Sequence, residues 1–158
     1  MIYGPKYGWC QVEIDEFESR ASYLTDVPLD IADAFIELYT TDTPKVAIEF
    51  DAEGYTYDLI LSKHRGNSYV VDFSEEKPKI YEMDKYLDAL LNEFLDDIER
   101  DGIDEWANFL VCGDVDELTH NKELLKAKID QLKKIKKEHY TLEEFKARYE
   151  QVFKGEEK

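Results

Sequence analysis

Cysteine is scarce in this sequence, and so are the segments that direct a chain into a membrane or out of the cell. Cys10 and Cys112 are the only two cysteines among 158 residues, and their separation fits neither a metal site nor a redox motif. The first residues lack the basic and apolar regions of a secretory signal. No apolar run approaches the ~18 residues of a membrane span. We therefore expect a cytoplasmic protein with two buried, reduced thiols.

Positive charge is also scarce over most of the chain, whose net charge is −17. Residues 1–118 contain 9 Lys and Arg against 29 Asp and Glu, whereas residues 119–158 contain 11 against 8. A field this negative repels nucleic acid and anionic membranes and attracts basic proteins, although solubility alone would also account for it. The change in the sign of the charge after residue 118 predicts an acidic body, 1–118, and a Lys-rich helical part, 119–158, within a single domain.

The chain lacks the short motifs of the common enzyme classes. It contains no P-loop, no GxGxxG, no GxSxG and no HExxH. The three histidines, His64, His120 and His139, do not have the spacing of metal ligands, and we expect them to be isolated residues on the surface. We therefore expect no cofactor and no metal ion.

Alternating apolar residues predict an α+β fold. Pro28 and Asp30 suit the first turn of a helix that ends before Pro44. Strands are predicted on both sides of this helix, one before it and three after it. The predicted elements are a strand at Trp9–Ile14, a helix at Pro28–Tyr39, and strands at Lys45–Asp51, Tyr55–Ser62 and Ser68–Phe73. They form a β-α-β-β-β antiparallel meander with the helix on one face.

The rest of the chain predicts a C-terminal set of three to four helices. From about Tyr81 the apolar residues follow a period of 3.6 residues as far as Gly102, a suitable C-terminal cap. The stretch "IDEWANFLVCG" favours a short apolar helix. Two further helices are predicted at Asn121–Glu138 and Thr141–Lys154, the second opened by a capping box of Thr141 and Glu144. We expect these two to form a hairpin packed on the acidic body.

The stretch "VAIEFDAEGYTYDLIL" is unusual because four carboxylates lie between the apolar residues of a predicted hairpin. In the predicted register, Ile48, Leu59 and Val71 face the core. The acids then lie on the outer face of the sheet together with an exposed tryptophan, an arrangement suited to a basic partner. The candidate partner-binding residues are Trp9, Glu13, Glu49, Asp51, Asp58 and Asp72.

These acids have three other possible roles. A calcium loop fails on spacing, since Gly54 follows Asp51 too closely for the EF-hand pattern. General acid–base catalysis needs a carboxylate in an enclosed pocket, which an open sheet face does not supply. A solvated face with no partner remains the simplest alternative.

The stretches "SRASYLTDVPLDIADAFIEL" and "VAIEFDAEGYTYDLILS" resemble the small acidic immunity proteins of bacterial polymorphic toxin systems, over roughly residues 9–73. The resemblance implies a cytosolic, non-enzymatic inhibitor that binds one toxin domain tightly. Our first hypothesis is therefore an immunity-type inhibitor that occludes a basic cognate toxin domain. An adaptor domain that self-associates through its helical tail is a second hypothesis. A small enzyme with a carboxylate site between sheet and helices is a third.

Overall fold

A computed structural model describes residues 1–63, 68–110 and 115–156, with residue 115 and residues 140–156 described by their helical backbone alone. The elements, in chain order, are β1 (Ile2–Lys6), β2 (Trp9–Ile14), β3 (Phe17–Ser22), α1 (Val27–Thr40), β4 (Lys45–Asp51), β5 (Thr56–Ser62), β6 (Tyr69–Asp72), β7 (Lys79–Glu82), α2 (Leu87–Asp101), α3 (Ile103–Phe109) and α4 (Val115–Glu156).

The strands form two antiparallel sheets, a three-stranded sheet ordered β1-β2-β3 and a four-stranded sheet ordered β4-β5-β6-β7. The α+β class, the β4-β5-β6 meander and the C-terminal set of helices are confirmed. The strands β1, β3 and β7 were not predicted. β1 contains Gly4 and Pro5, β3 lacks regular alternation, and β7 has only four residues, so none carries a clear strand pattern.

The core lies between the sheets and the helices. Alternate residues of β4 and β5, such as Ile48, Phe50 and Leu59, are buried, as their pattern predicted. Pro28 lies in the first turn of α1, which packs against β4 and also contacts α2 through the rings of Phe35 and Phe94, 5.8 Å apart. Deleting such a side chain from a packed core costs ~2–5 kcal/mol.

The register predicted for β6 is wrong. Val70, not Val71, lies opposite the buried Leu59 and is itself fully buried. Val71 lies opposite Asp58, on the outer face, and Phe73 is 42 % exposed. A shift of one residue exchanges the two faces of a strand, so the apolar residues of β6 that were assigned to the core point outward instead.

The predicted C-terminal hairpin is also wrong. α4 runs as one helix of 42 residues through Thr141, which therefore does not begin a new helix. No glycine or proline occurs between Asn121 and Phe153, so nothing in this stretch forces the helix to end. The charge reversal near residue 118 falls inside α4. Leu125, Ile129 and Leu132 are buried in the same core as the sheets.

Asp97 of α2 holds the first strand against the helices. Its Oδ2 accepts a hydrogen bond from the Met1 α-amino group at 2.7 Å and another from the Ile2 N–H at 3.1 Å. Its Oδ1 lies 3.1 Å from a guanidinium nitrogen of Arg100. Asp97 is buried, so these partners offset the cost of removing a carboxylate from water.

The thiol prediction is confirmed for Cys10, which is free and buried. Burial raises the pKa of this thiol to about 12. Cys112 lies outside the described residues, as does His64.

A candidate partner-binding face

Two carboxylates lie side by side on the outer face of the four-stranded sheet. Glu49 of β4 and Asp58 of β5 are direct cross-strand partners. Their strands fold this way because Ile48 and Phe50 on one strand, and Tyr57 and Leu59 on the other, occupy the core face and leave the residues between them pointing outward. Like charges directly opposite each other destabilise a sheet.

No cation neutralises this pair among the residues that the structure describes. The ion pairs of the described chain involve neither Glu49 nor Asp58. Partial burial raises the pKa of Asp58, and the nearby Glu49 carboxylate raises it further. The folded chain therefore keeps an electrostatic repulsion that a basic group from outside would relieve.

An apolar patch adjoins these carboxylates on the same face. Val71 lies opposite Asp58 on one side and Ile80 on the other, and Ile60 lies opposite Tyr69. Ile80 is 61 % exposed. We name this surface the acidic–apolar face; it comprises Glu49, Asp58, Ile60, Tyr69, Val71, Phe73 and Ile80.

Two further predicted residues have different surroundings. Asp51 lies on the outer face opposite Thr56, beside the pair, and its Oδ1 accepts a hydrogen bond of 2.6 Å from the Glu53 N–H in the turn that follows. Asp72 lies opposite Tyr57, on the core side of β6, and its Oδ1 accepts a hydrogen bond of 2.9 Å from the Ser74 N–H. The assignment of Asp72 to the outer acids is therefore wrong, for the same reason as the β6 register.

Trp9 and Glu13 lie on a different sheet from the other acids. Both belong to β2, and their side chains point to the outer face of the three-stranded sheet. The Arg20 guanidinium lies over the Trp9 ring, 4.5 Å from its centroid. Glu13 lies opposite Glu18. The six predicted residues therefore do not form one surface, because the prediction placed β2 in the same sheet as β4 and β5.

The structure also assembles a cluster that the sequence did not suggest. Asp88, in the first turn of α2, accepts a hydrogen bond from the Tyr39 hydroxyl of α1 and lies 3.1 Å from Nε2 of His139 on α4. The rings of Tyr39 and His139 meet edge to face with their centroids 5.2 Å apart. These three side chains come from positions 39, 88 and 139, so no local spacing could have revealed them.

The cluster borders an open cleft of about 350 Å³ whose other lining residues include Leu38, Lys63 and Tyr86. Among the described lining residues Asp88 is the sole carboxylate. A pair of converging acids, which the enzyme hypothesis requires, is therefore not formed by the described part of this cleft. The cluster joins α1, α2 and α4, and its hydrogen bonds fix α4 against the body.

Within the described ranges, no group of three or more His, Cys, Asp or Glu side chains is arranged to hold a metal ion. Among the described helices, none combines the length and apolar character needed to cross a membrane. Comparison of the chain with models of protein families, with curated proteins and with solved structures found no match.

Proposed function

We propose that the protein is a non-enzymatic inhibitor of the immunity type, which binds a basic toxin domain through the acidic–apolar face. The observation that carries the proposal is the placement of the unneutralised Glu49–Asp58 pair directly beside exposed apolar side chains on one sheet. A surface of this kind combines the two properties that a specific protein interface needs, apolar contact area and charge that selects the partner.

The apolar part supplies the contact energy. Phe73 and Ile80 are both large and exposed, and single exposed apolar residues are common, whereas neighbouring ones mark interaction sites. Tyr69 and Val71, both half-buried, complete the patch between them. A partner that covers these side chains removes apolar surface from water, at ~25 cal/mol per Å² before the costs of association.

The acidic part supplies the selection. A lysine or arginine of the partner that reaches Glu49 and Asp58 relieves their mutual repulsion as well as forming ion pairs with them. The net charge of −17 extends this preference beyond the contact, since it accelerates the approach of a basic protein. A nuclease or another enzyme with a basic substrate site is the kind of toxin that such a surface would occlude.

The proposal is tested with the protein encoded by the adjacent gene. That protein is expressed in a bacterial host alone and together with this chain, and growth and complex formation are measured. We expect the neighbour alone to arrest growth, and co-expression to restore growth and yield a stable complex. A neighbour that is harmless and forms no complex with this chain would contradict the proposal.

A matched pair of variants locates the interface. The double variant Phe73→Ser with Ile80→Ser removes exposed apolar groups from the acidic–apolar face, and we expect it to lose protection and binding. Leu24→Ser removes a similarly exposed group, 56 % exposed, that follows β3 and lies outside this face. It should protect as well as the unaltered chain. Circular dichroism confirms that both variants fold. If both variants lost protection and binding equally, the acidic–apolar face would be excluded as the interface.

A further inference from the structure

The strand β4 forms one edge of the four-stranded sheet, so only one side of its backbone is paired. The pairing with β5 continues just past both ends of the strand. There the Lys63 N–H donates a hydrogen bond to the Pro44 C=O and the Ala52 N–H donates one to the Tyr55 C=O, each at 3.0 Å. Hydrogen-bonded residues alternate along an antiparallel strand. The even-numbered residues of β4 therefore bond to β5, and the odd-numbered residues direct their N–H and C=O groups away from it.

The outward backbone groups are unused over most of β4. Within the described residues, no hydrogen bond involves the backbone N–H or C=O of Lys45, Ala47 or Glu49. All three residues are exposed. The edge is covered at its far end, where the Asp51 N–H lies 3.5 Å from Oγ1 of Thr25. A row of free donors and acceptors on an edge strand is a template on which another strand can pair.

The other edges of the two described sheets are less suited to strand addition. β1 contains Pro5 and pairs irregularly with β2. On β3, the Arg20 C=O already accepts a hydrogen bond of 2.9 Å from the Tyr57 hydroxyl. β7 has only four residues and follows Pro78. Short strands, prolines and irregular pairing discourage the addition of a strand, whereas β4 has seven residues, regular pairing and no proline.

We propose that a strand of the basic toxin domain pairs with the free edge of β4, so that the sheet continues across the complex. This inference rests on the proposed function and names the contact through which the partner binds. The added strand lies about 4.8 Å from β4, next to Glu49. A lysine or arginine opposite Glu49 forms an ion pair with it and extends towards Asp58 on the same face. Main-chain hydrogen bonds supply affinity in strand addition, and the neighbouring side chains supply specificity.

The two faces of β4 determine the sequence pattern of the added strand. Its residues on the outer face lie beside Glu49 and should be basic or polar. Its residues on the other face lie beside the half-buried Val46 and the buried Ile48, and should be apolar. The expected partner strand therefore alternates basic and apolar residues. A second copy of this chain fits less well, because it brings a net charge of −17 to a chain of the same charge.

Amide hydrogen exchange, measured by NMR for the full chain alone and bound to the product of the adjacent gene, tests the proposal residue by residue. The amide protons of Ala47 and Glu49 should exchange rapidly in the free chain and at least about 100-fold more slowly in the complex. Those of Ile48 and Phe50 bond to β5 and should be protected in both states. A partner that only covers the outer face would not protect alternate residues in this way.

A matched pair of variants at one residue tests the same edge through binding. Ala47→Pro removes an outward N–H and should raise the Kd at least about tenfold, because the added strand loses a hydrogen bond and meets the proline ring. The fold should survive, since an edge strand tolerates proline where the N–H is not used by the sheet. Ala47→Val keeps the N–H and should bind within about threefold of the unaltered chain. Circular dichroism confirms the fold of both variants, and amide exchange decides if Ala47→Pro does not fold.

The outcomes separate this inference from the proposed function. A complex in which Ala47 and Glu49 stay unprotected, or in which Ala47→Pro binds as well as Ala47→Val, would overturn the inference and leave the proposed function standing. The absence of any complex would contradict the proposed function and this inference with it. Alternating protection in the free chain at about 1 mM, together with a dimer in analytical ultracentrifugation, would assign the edge to a second copy and also overturn the inference.

Discussion

Glu49 and Asp58 lie directly opposite each other on neighbouring strands, and no described cation lies between them. Folding brings two negative charges together at this point, at a cost in stability. An inhibitor gains from that arrangement only when a basic partner binds, so stability and binding should respond in opposite directions to changes at this pair.

Removing one of the two charges should stabilise the free protein. We expect Glu49→Gln to raise the free energy of unfolding by ~0.2–1 kcal/mol at pH 7.5, measured by urea denaturation, because it removes a cross-strand repulsion. Since the pKa of Asp58 is raised in the folded state, the gain should shrink as falling pH protonates that carboxyl. Glu76→Gln, at an exposed position between β6 and β7, is the control. If the free energy of unfolding changed equally in both variants, the effect would come from net charge and not from the Glu49–Asp58 pair.

Asp30 should make stability depend on pH. Partial burial, followed by the carboxylates of Asp26 and Asp33, raises its pKa from 3.8 to about 6. The folded state therefore holds this proton more tightly than the unfolded chain does. The charged carboxylate lowers stability above pH 6, and this loss disappears as the pH falls from about 6 towards 4.

We accordingly expect Asp30→Asn to be more stable than the unaltered chain at pH 7.5 by about 1 kcal/mol. The full shift would correspond to about 3 kcal/mol, but the side chain is only partly buried and solvent screens its charge. Urea denaturation at pH 7.5 and at pH 4.5 measures the difference, which should be much smaller at the lower pH. A difference that is equal at both pH values would assign the effect to packing or helix propensity instead.

Asp97 should contribute far more to the stability of the fold than Asp96, its neighbour in sequence. Asp97→Ala leaves the Ile2 N–H without its buried acceptor, while the Met1 α-amino group keeps only Glu93, 2.9 Å away, as its acceptor. We expect the free energy of unfolding to fall by ~1–3 kcal/mol. Asp96→Ala, at an exposed position of the same helix, should change stability by less than ~0.5 kcal/mol. Thermal unfolding of the two variants compares them directly. Similar melting temperatures would show that the Asp97 hydrogen bonds contribute little.

The continuity of α4 can be tested with a single proline. In the hairpin that the sequence predicted, residue 142 would be the first residue of a helix, where proline is well tolerated. In the structure it lies within a helix that began at Val115, where proline costs ~3 kcal/mol. Leu142→Pro should therefore reduce the helical circular dichroism signal markedly. An unchanged signal would favour the hairpin.

The error in the predicted register of β6 has the same physical cause as the candidate site. The segment from Tyr69 to Phe73 has large apolar residues on both faces, so its pattern does not determine which face is buried. The prediction buried the three residues on one face and so exposed Val70, whereas the fold buries Val70 and places the other three on the outer face. An apolar binding surface violates the rule that apolar residues lie inside, so pattern-based prediction fails most readily there.

The parts that were predicted correctly depend on local patterns. The strands β4 and β5, the helix α1 and the outward position of Glu49, Asp51 and Asp58 follow from alternation and helix-starting residues alone. The separation of Trp9 and Glu13 onto another sheet, and the meeting of Asp88 with His139, depend on tertiary packing. No single segment contains that information.

The most direct test of the proposed function is the rate at which this chain associates with the product of the adjacent gene. Binding kinetics should be measured at about 50 mM and 300 mM NaCl for the unaltered chain and for Glu49→Lys with Asp58→Lys. We expect charge reversal to slow association strongly at low salt and less at high salt, since salt screens charges beyond ~10 Å. Equal association rates for the two folded proteins at both salt concentrations would contradict the account.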